Sequence, residues 1–158
     1  MSSSKFERML QLVDEVFSTR NDPSQLQVDE SVIARLLQLH PATVSEHNDD
    51  GPAAWILLIP TSEALMNRFL DDEISEQGLL DLNAPGTKFE AIYLCSASVL
   101  PEYRRKGIAL QLTLDAIENI RKDHPVKTLY VWPFTKEGDA LAKLLAEKTG
   151  LRLKSKLK

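Results

Sequence analysis

Between Val99 and Ala109 the chain reads Val-Leu-Pro-Glu-Tyr-Arg-Arg-Lys-Gly-Ile-Ala, so that three consecutive cations and a glycine stand between an apolar run and a helix-forming one. The chemistry such a turn supports is the holding of an anion. The first amides of a helix have no intrahelical acceptor and carry the positive end of its dipole, so phosphate oxygens are drawn to them. Gly107 would let the backbone approach a ligand with no side chain in the way. Arg104, Arg105 and Lys106 add charge around the same point. Taken alone, these residues also describe a solvated charged turn ahead of an ordinary core helix.

Other residue types capable of chemistry are sparse. The single cysteine, Cys95, excludes an intramolecular disulfide and a cysteine-rich zinc site. A thiol nucleophile needs a base, and no histidine lies near it in sequence, so it reads as a small apolar residue. His40, His47 and His124 fall at element ends or in turns without a spacing such as H-x-x-x-H, which makes them surface residues rather than metal ligands. No metal is expected. Ser96 and Ser98 lack an accompanying triad signature and read as strand residues. Trp55 and Trp132 sit inside β-like runs, where core packing is the first explanation and the lining of a cleft the second.

These residues must be positioned by the elements around them. Apolar residues recur at helical spacing from Lys5 to Thr19 and again from Val28 to His40, where Pro41 stops the pattern. Ala42–Glu46 and Ala53–Ile59 read as strands joined through the turn formers Asn48-Asp49-Asp50-Gly51-Pro52, a hairpin. Thr61 or Ser62 would cap a helix extending towards Leu82. Phe89–Val99 is long and apolar enough for a central strand covered on both faces. Ile108–Arg121 is helical, Thr128–Trp132 a strand, and Glu137–Lys148 a last helix closed by Gly150. The order predicts an α/β sandwich in which Phe89–Val99 and Thr128–Trp132 run parallel through a right-handed crossover.

Composition bounds the function. With 158 residues the chain suits one domain spanning 1–158, and 43% hydrophobic against 27% charged residues is ordinary for a globular protein. A net charge of -4 and a pI near 5.4 supply no field for phosphate backbones, so nucleic acid is not an expected partner. Neither a signal core nor a run approaching the ~18 apolar residues of a membrane span is present, so no membrane association is expected and the location predicted is cytoplasmic.

Residues 97–109, ASVLPEYRRKGIA, resemble the acetyl-CoA signature of the GCN5-related N-acetyltransferase (GNAT) family, with Arg104-x-x-Gly107-x-Ala109 matching its Q/R-x-x-G-x-G/A motif. Leu145-Ala146-Glu147-Lys148-Thr149-Gly150-Leu151 is similar to the family's second conserved region, so the likeness spans residues 89–151. The resemblance implies an α/β/α sandwich with a mixed, mostly antiparallel sheet and a parallel, splayed pair at the CoA site. It implies an acyl-CoA-dependent N-acyltransferase whose co-substrate is acetyl-CoA or another acyl-CoA and whose acceptor is a small-molecule or peptide amine. The amides of Arg104, Arg105, Lys106, Gly107, Ile108 and Ala109 would bind the CoA pyrophosphate, and the backbone of Ala97, Ser98 and Val99 would pair with the pantetheine arm like an added strand. A bulge or splay in this strand would open the sheet.

Several positions depart from the family's pattern. The tyrosine that often acts as acid is replaced by Ala146, and the asparagine that often opens that helix by Asp139. A base commonly projects from the central strand six residues before its end, which is Tyr93, a poor base with an ordinary pKa near ~10. Glu90 is the strand's only carboxylate, on the opposite face from Tyr93 unless a bulge shifts the phase. The Ser62–Leu82 helix lies between what would be the family's third and fourth strands, where it could shape the acceptor side or form a homodimer contact. The C-terminus is short: only Leu151–Leu157 could add a strand, and Lys154-Ser155-Lys156-Leu157-Lys158 reads as a solvated tail. The alternative function is a non-catalytic acyl-CoA-binding sensor or structural domain of the same fold.

Overall fold

The structure, a computed structural model, describes residues 7, 8, 11, 30–84, 86, 88–132 and 136–156. Apart from Glu7, Arg8 and Gln11, the helix expected from Lys5 to Thr19 lies outside the described residues, as do Leu157 and Lys158. The elements are α1 (Glu30–Leu39), β1 (Val44–Asn48), β2 (Pro52–Thr61), α2 (Glu63–Leu70), α3 (Glu76–Asp81), β3 (Ala91–Val99), α4 (Ile108–Asp123), β4 (Thr128–Val131), α5 (Lys136–Thr149) and β5 (Arg152–Ser155). Short 3-10 turns occupy Pro41–Thr43 and Pro101–Tyr103.

One five-stranded sheet has the order β1-β2-β3-β4-β5. The β1–β2 and β2–β3 pairs are antiparallel, whereas β3–β4 and β4–β5 are parallel. The interior strand β2 has no polar alternation because both its faces are covered. Leu57 and Ile59 join Val32 and Leu36 of α1, Met66 and Phe69 of α2, and Leu79 and Leu80 of α3. Ile56 and Leu58 pack on the other face with Ala116, Ile117 and Ile120 of α4 and Leu145 of α5. The result is an α/β/α sandwich, with each buried large side chain contributing roughly 1.5–3 kcal/mol. Pro60 is tolerated in β2 because Thr61 faces β3, accepting from the Glu90 amide at 2.9 Å. Pro60 therefore faces the opposite edge, beyond the last β1 rung at Val44↔Leu57.

Three expectations change. The single helix expected over Ser62–Leu82 is two helices, because the acidic run Asp71-Asp72-Glu73 falls where the negative end of α2's dipole disfavours it. Asp72 takes a left-handed φ of 63°. The chain then restarts at Ser75, whose hydroxyl accepts from the Gly78 amide at 3.1 Å, as Ser62 does from Leu65 at 3.2 Å. The strand expected from Phe89 begins at Ala91. Of the expected solvated tail, the described part is not one: Lys154 and Ser155 pair with Tyr130 and Val131 in β5, and Lys156 is buried at 4% exposure.

Candidate functional site

The sheet opens between β3 and β4. Only Ala91↔Thr128, Ile92↔Leu129 and Tyr93↔Tyr130 are paired, although β3 runs on to Val99. On its other side β3 stays bonded to β2, with a bulge where Leu58 pairs Leu94 and Leu57 pairs Ser96, leaving Cys95 as the extra residue. Backbone groups of successive strand residues point to opposite edges. The Leu100 amide donates to Ala53 of β2 at 2.9 Å, and the Val99 carbonyl accepts from Arg104 Nε at 3.0 Å on the opposite side. Alternation then turns the N–H and C=O of Ala97 to the open edge and those of Ser98 inward to Trp55. Ala97 is exposed and Ser98 buried.

That edge leads directly into the cationic turn. Arg105 and Gly107 both have left-handed backbones, with φ of 62° and 75°. Glycine adopts this conformation without steric penalty, so Gly107 is where the chain can reverse into α4. The amides of Ile108, Ala109 and Leu110 open a 16-residue helix whose N-cap, Gly107, offers no side-chain acceptor. By contrast, α2 and α3 are capped by serine hydroxyls. Arg104, Arg105, Lys106 and Gly107 are all exposed. Nearby acids are already engaged: Arg8 holds both oxygens of Glu102 at 2.6 and 2.5 Å, and Tyr103 donates to Asp49 at 2.7 Å. Glu102 in turn raises the Arg8 guanidinium above its ordinary value through that hydrogen bond. A cavity of ≈ 270 Å³ lies against the turn, lined by Lys106, Gly107, Ile108, Gln111 and His47 among others. The site can accept an anion at the turn and an amide-bearing chain along β3.

A larger groove of ≈ 560 Å³ runs past His40, Glu46, Asp115 and Asp123. Asp115 lines both cavities, but the larger one adds Glu46 and Asp123, which oppose a phosphate ligand, whereas the smaller one adds Lys106 and the Gly107 turn. His40 is not a surface histidine: at 8% exposure, its Nδ1 accepts the Ala42 amide at 3.0 Å and its Nε2 meets Asp123 at 2.6 Å. His124 is pulled below the ordinary histidine value by burial and then by His40. No group of three or more His, Cys, Asp or Glu among the described residues is arranged to hold a metal.

Neither Tyr93 nor Glu90 lies at the cationic turn. Glu90 precedes β3, nine residues and thus ~30 Å of strand from Val99. The bulge at Cys95 comes after both residues, so their opposite faces stand. Tyr93 points into the core at 1% exposure, its ring 4.9 Å from Phe69 and 5.2 Å from Tyr130. Its hydroxyl donates to Glu76, a carboxylate with 0% exposure at the first residue of α3. Tyr130 shares a hydrogen bond of 2.8 Å with Thr61, and burial raises its phenol far above the ordinary range. Sequence reasoning missed Glu76, because one helix was expected to run through it and nothing in its neighbours marks its burial. It missed Arg8 too, because its partner lies 94 residues away.

Residues 79–138 match the family model for the acetyltransferase (GNAT) domain, a span containing β3, the cationic turn, α4 and β4. No curated protein matches the chain. Among the described residues, no helix is long and apolar enough to cross a membrane. The mixed sheet parts beside an uncapped helix N-terminus, and it is across this region that residues 79–138 are similar to the acetyltransferase (GNAT) domain.

Proposed function

We propose that the protein transfers an acetyl or other acyl group from acyl-CoA to an amine by direct attack within a ternary complex. The observation that carries this reading is the continuity between the open edge at Ala97 and Val99 and the uncapped start of α4. An arm bearing amides pairs with the first, and the pyrophosphate behind it meets the second with Arg104, Arg105 and Lys106. The acceptor nitrogen forms a C–N bond as the thioester C–S bond breaks, the amine gives up a proton, and the departing thiolate gains one. With Ala146 where the family often has a tyrosine acid, water is the proton carrier on the leaving-group side.

One observation favours a second reading, an acyl-CoA-binding domain without turnover: Tyr93 is buried with its hydroxyl engaged by Glu76. Calorimetric titration with acetyl-CoA, free CoA and dephospho-CoA, followed by turnover with a panel of amines, separates the two. Binding with turnover supports transfer. Binding without turnover supports the sensor, and absence of binding removes both.

A further inference from the structure

Lys156, just beyond β5, is the most deeply buried cation among the described residues, with its side chain 2% exposed. Its ammonium lies 4.2 Å from the centre of the Trp132 ring and 4.9 Å from that of Phe69, and it meets Asp72 at 2.9 Å. Two aromatic faces and a carboxylate are what recognition of an alkylammonium requires. The position also matters. Phe69 packs edge-on against Tyr93, part of the last β3–β4 rung before the sheet parts, and Trp132 follows β4 at that opening. Val131 pairs Ser155, so Lys156 is level with Trp132, two strand spacings or ~10 Å across the sheet from β3. A lysine side chain spans more than half of that distance.

We propose that Phe69, Trp132 and Asp72 form the acceptor-ammonium subsite and that Lys156 fills it as an internal stand-in, so the acceptor is a primary alkylamine of lysine-like length. The proposal rests on the acyltransfer reading and adds to it a substrate class and a built-in competitor. Lys156 is tethered by its backbone just beyond β5, so it blocks the subsite, whereas a free alkylammonium can give up its proton and carry its nitrogen on to the thioester. Beyond the side chain, its amide bonds to the Val131 carbonyl at 2.8 Å, and Asp72, 73% exposed, lies within reach of a cation arriving from solvent.

The test uses the full chain with Trp55→Phe, so that Trp132 is the only tryptophan, and n-butylammonium as the probe. In Lys156→Ala, n-butylammonium should quench Trp132 saturably, and acetyl-CoA should convert it to N-butylacetamide, CoA thiol and a proton with kcat/KM at least tenfold above that of the parent. Adding Asp72→Asn should reduce this gain at least fivefold. If the alanine variant does not fold, a chain ended after Ser155 should show the same gain. A variant that binds acetyl-CoA in calorimetry yet does not acetylate n-butylammonium faster than the parent overturns the subsite while leaving the acyl-CoA site standing. Loss of acetyl-CoA binding in the parent protein itself overturns the acyltransfer reading and the subsite with it.

Discussion

Gly107→Asp separates the site from the fold. Gly107 sits at φ 75°, and a Cβ built there meets nothing within 4 Å. The substitution therefore creates no clash, and its folding cost is the left-handed backbone, about 1 kcal/mol, which aspartate tolerates better than most residues. A carboxylate at the start of α4 regains roughly 0.3–1 kcal/mol from the helix dipole. Stability should hold to within about 1 kcal/mol. Binding should not. At ~5 Å from a phosphate and an effective dielectric near ~20, the added charge costs about 3 kcal/mol, roughly two orders of magnitude in Kd. Gly150, at φ 75° after α5 and also with nothing within 4 Å, is the control: Gly150→Asp carries the same backbone cost away from the turn. Calorimetry with acetyl-CoA, beside thermal melts of both variants, reads the two quantities. Wild-type affinity in a folded Gly107→Asp protein would refute the assignment of the turn.

Ala97→Pro removes an amide that faces the open edge, so the protein should fold while its KM for acetyl-CoA rises about tenfold; Ser98→Pro removes one turned towards β2 and should lower stability by about 3 kcal/mol in urea titrations. Glu76→Ala removes the buried acceptor of the Tyr93 hydroxyl and should cost about 2–4 kcal/mol, whereas Glu76→Gln, which can still accept its proton, should cost less than half of that. His124 titrates below its unfolded value of 6.5, so the unfolded chain binds more protons in the window just under that pH. Stability should therefore fall as pH drops through this window, and His124→Gln, which can still accept the Phe89 amide, should flatten the decline in Tm.

What was legible in the sequence was local. The turn from Val99 to Ala109 could be read because anion binding at a helix start needs only neighbours in the chain: an apolar strand before, cations and glycine within, an apolar helix after. The strand and helix order followed from periodicities of the same short range. The bulge at Cys95 was expected only as something the strand would have, because its position depends on how β2 lies against β3, which no single segment encodes. Ser98 was grouped with Ala97 and Val99 for the same reason, since the edge each amide faces is set by the partner strand.

The inserted segment between β2 and β3 shows what local reading leaves out. Its apolar spacing announces a helix that covers the sheet, which it does through Met66, Phe69, Leu79 and Leu80. Yet this same face brings in Glu76, held against Tyr93, and Asp72, held against Lys156. A carboxylate and an ammonium withdrawn from water each cost several kcal/mol unless paired, so neither would sit there by packing alone. Their pairing partners are 17 and 84 residues away in sequence, and Asp72 is available only because an acidic run breaks the insertion into two helices. The break that sequence periodicity passes over is thus the feature that sets a carboxylate beside Trp132 and Phe69. An insertion of unbroken helix would cover the same sheet and build no such box.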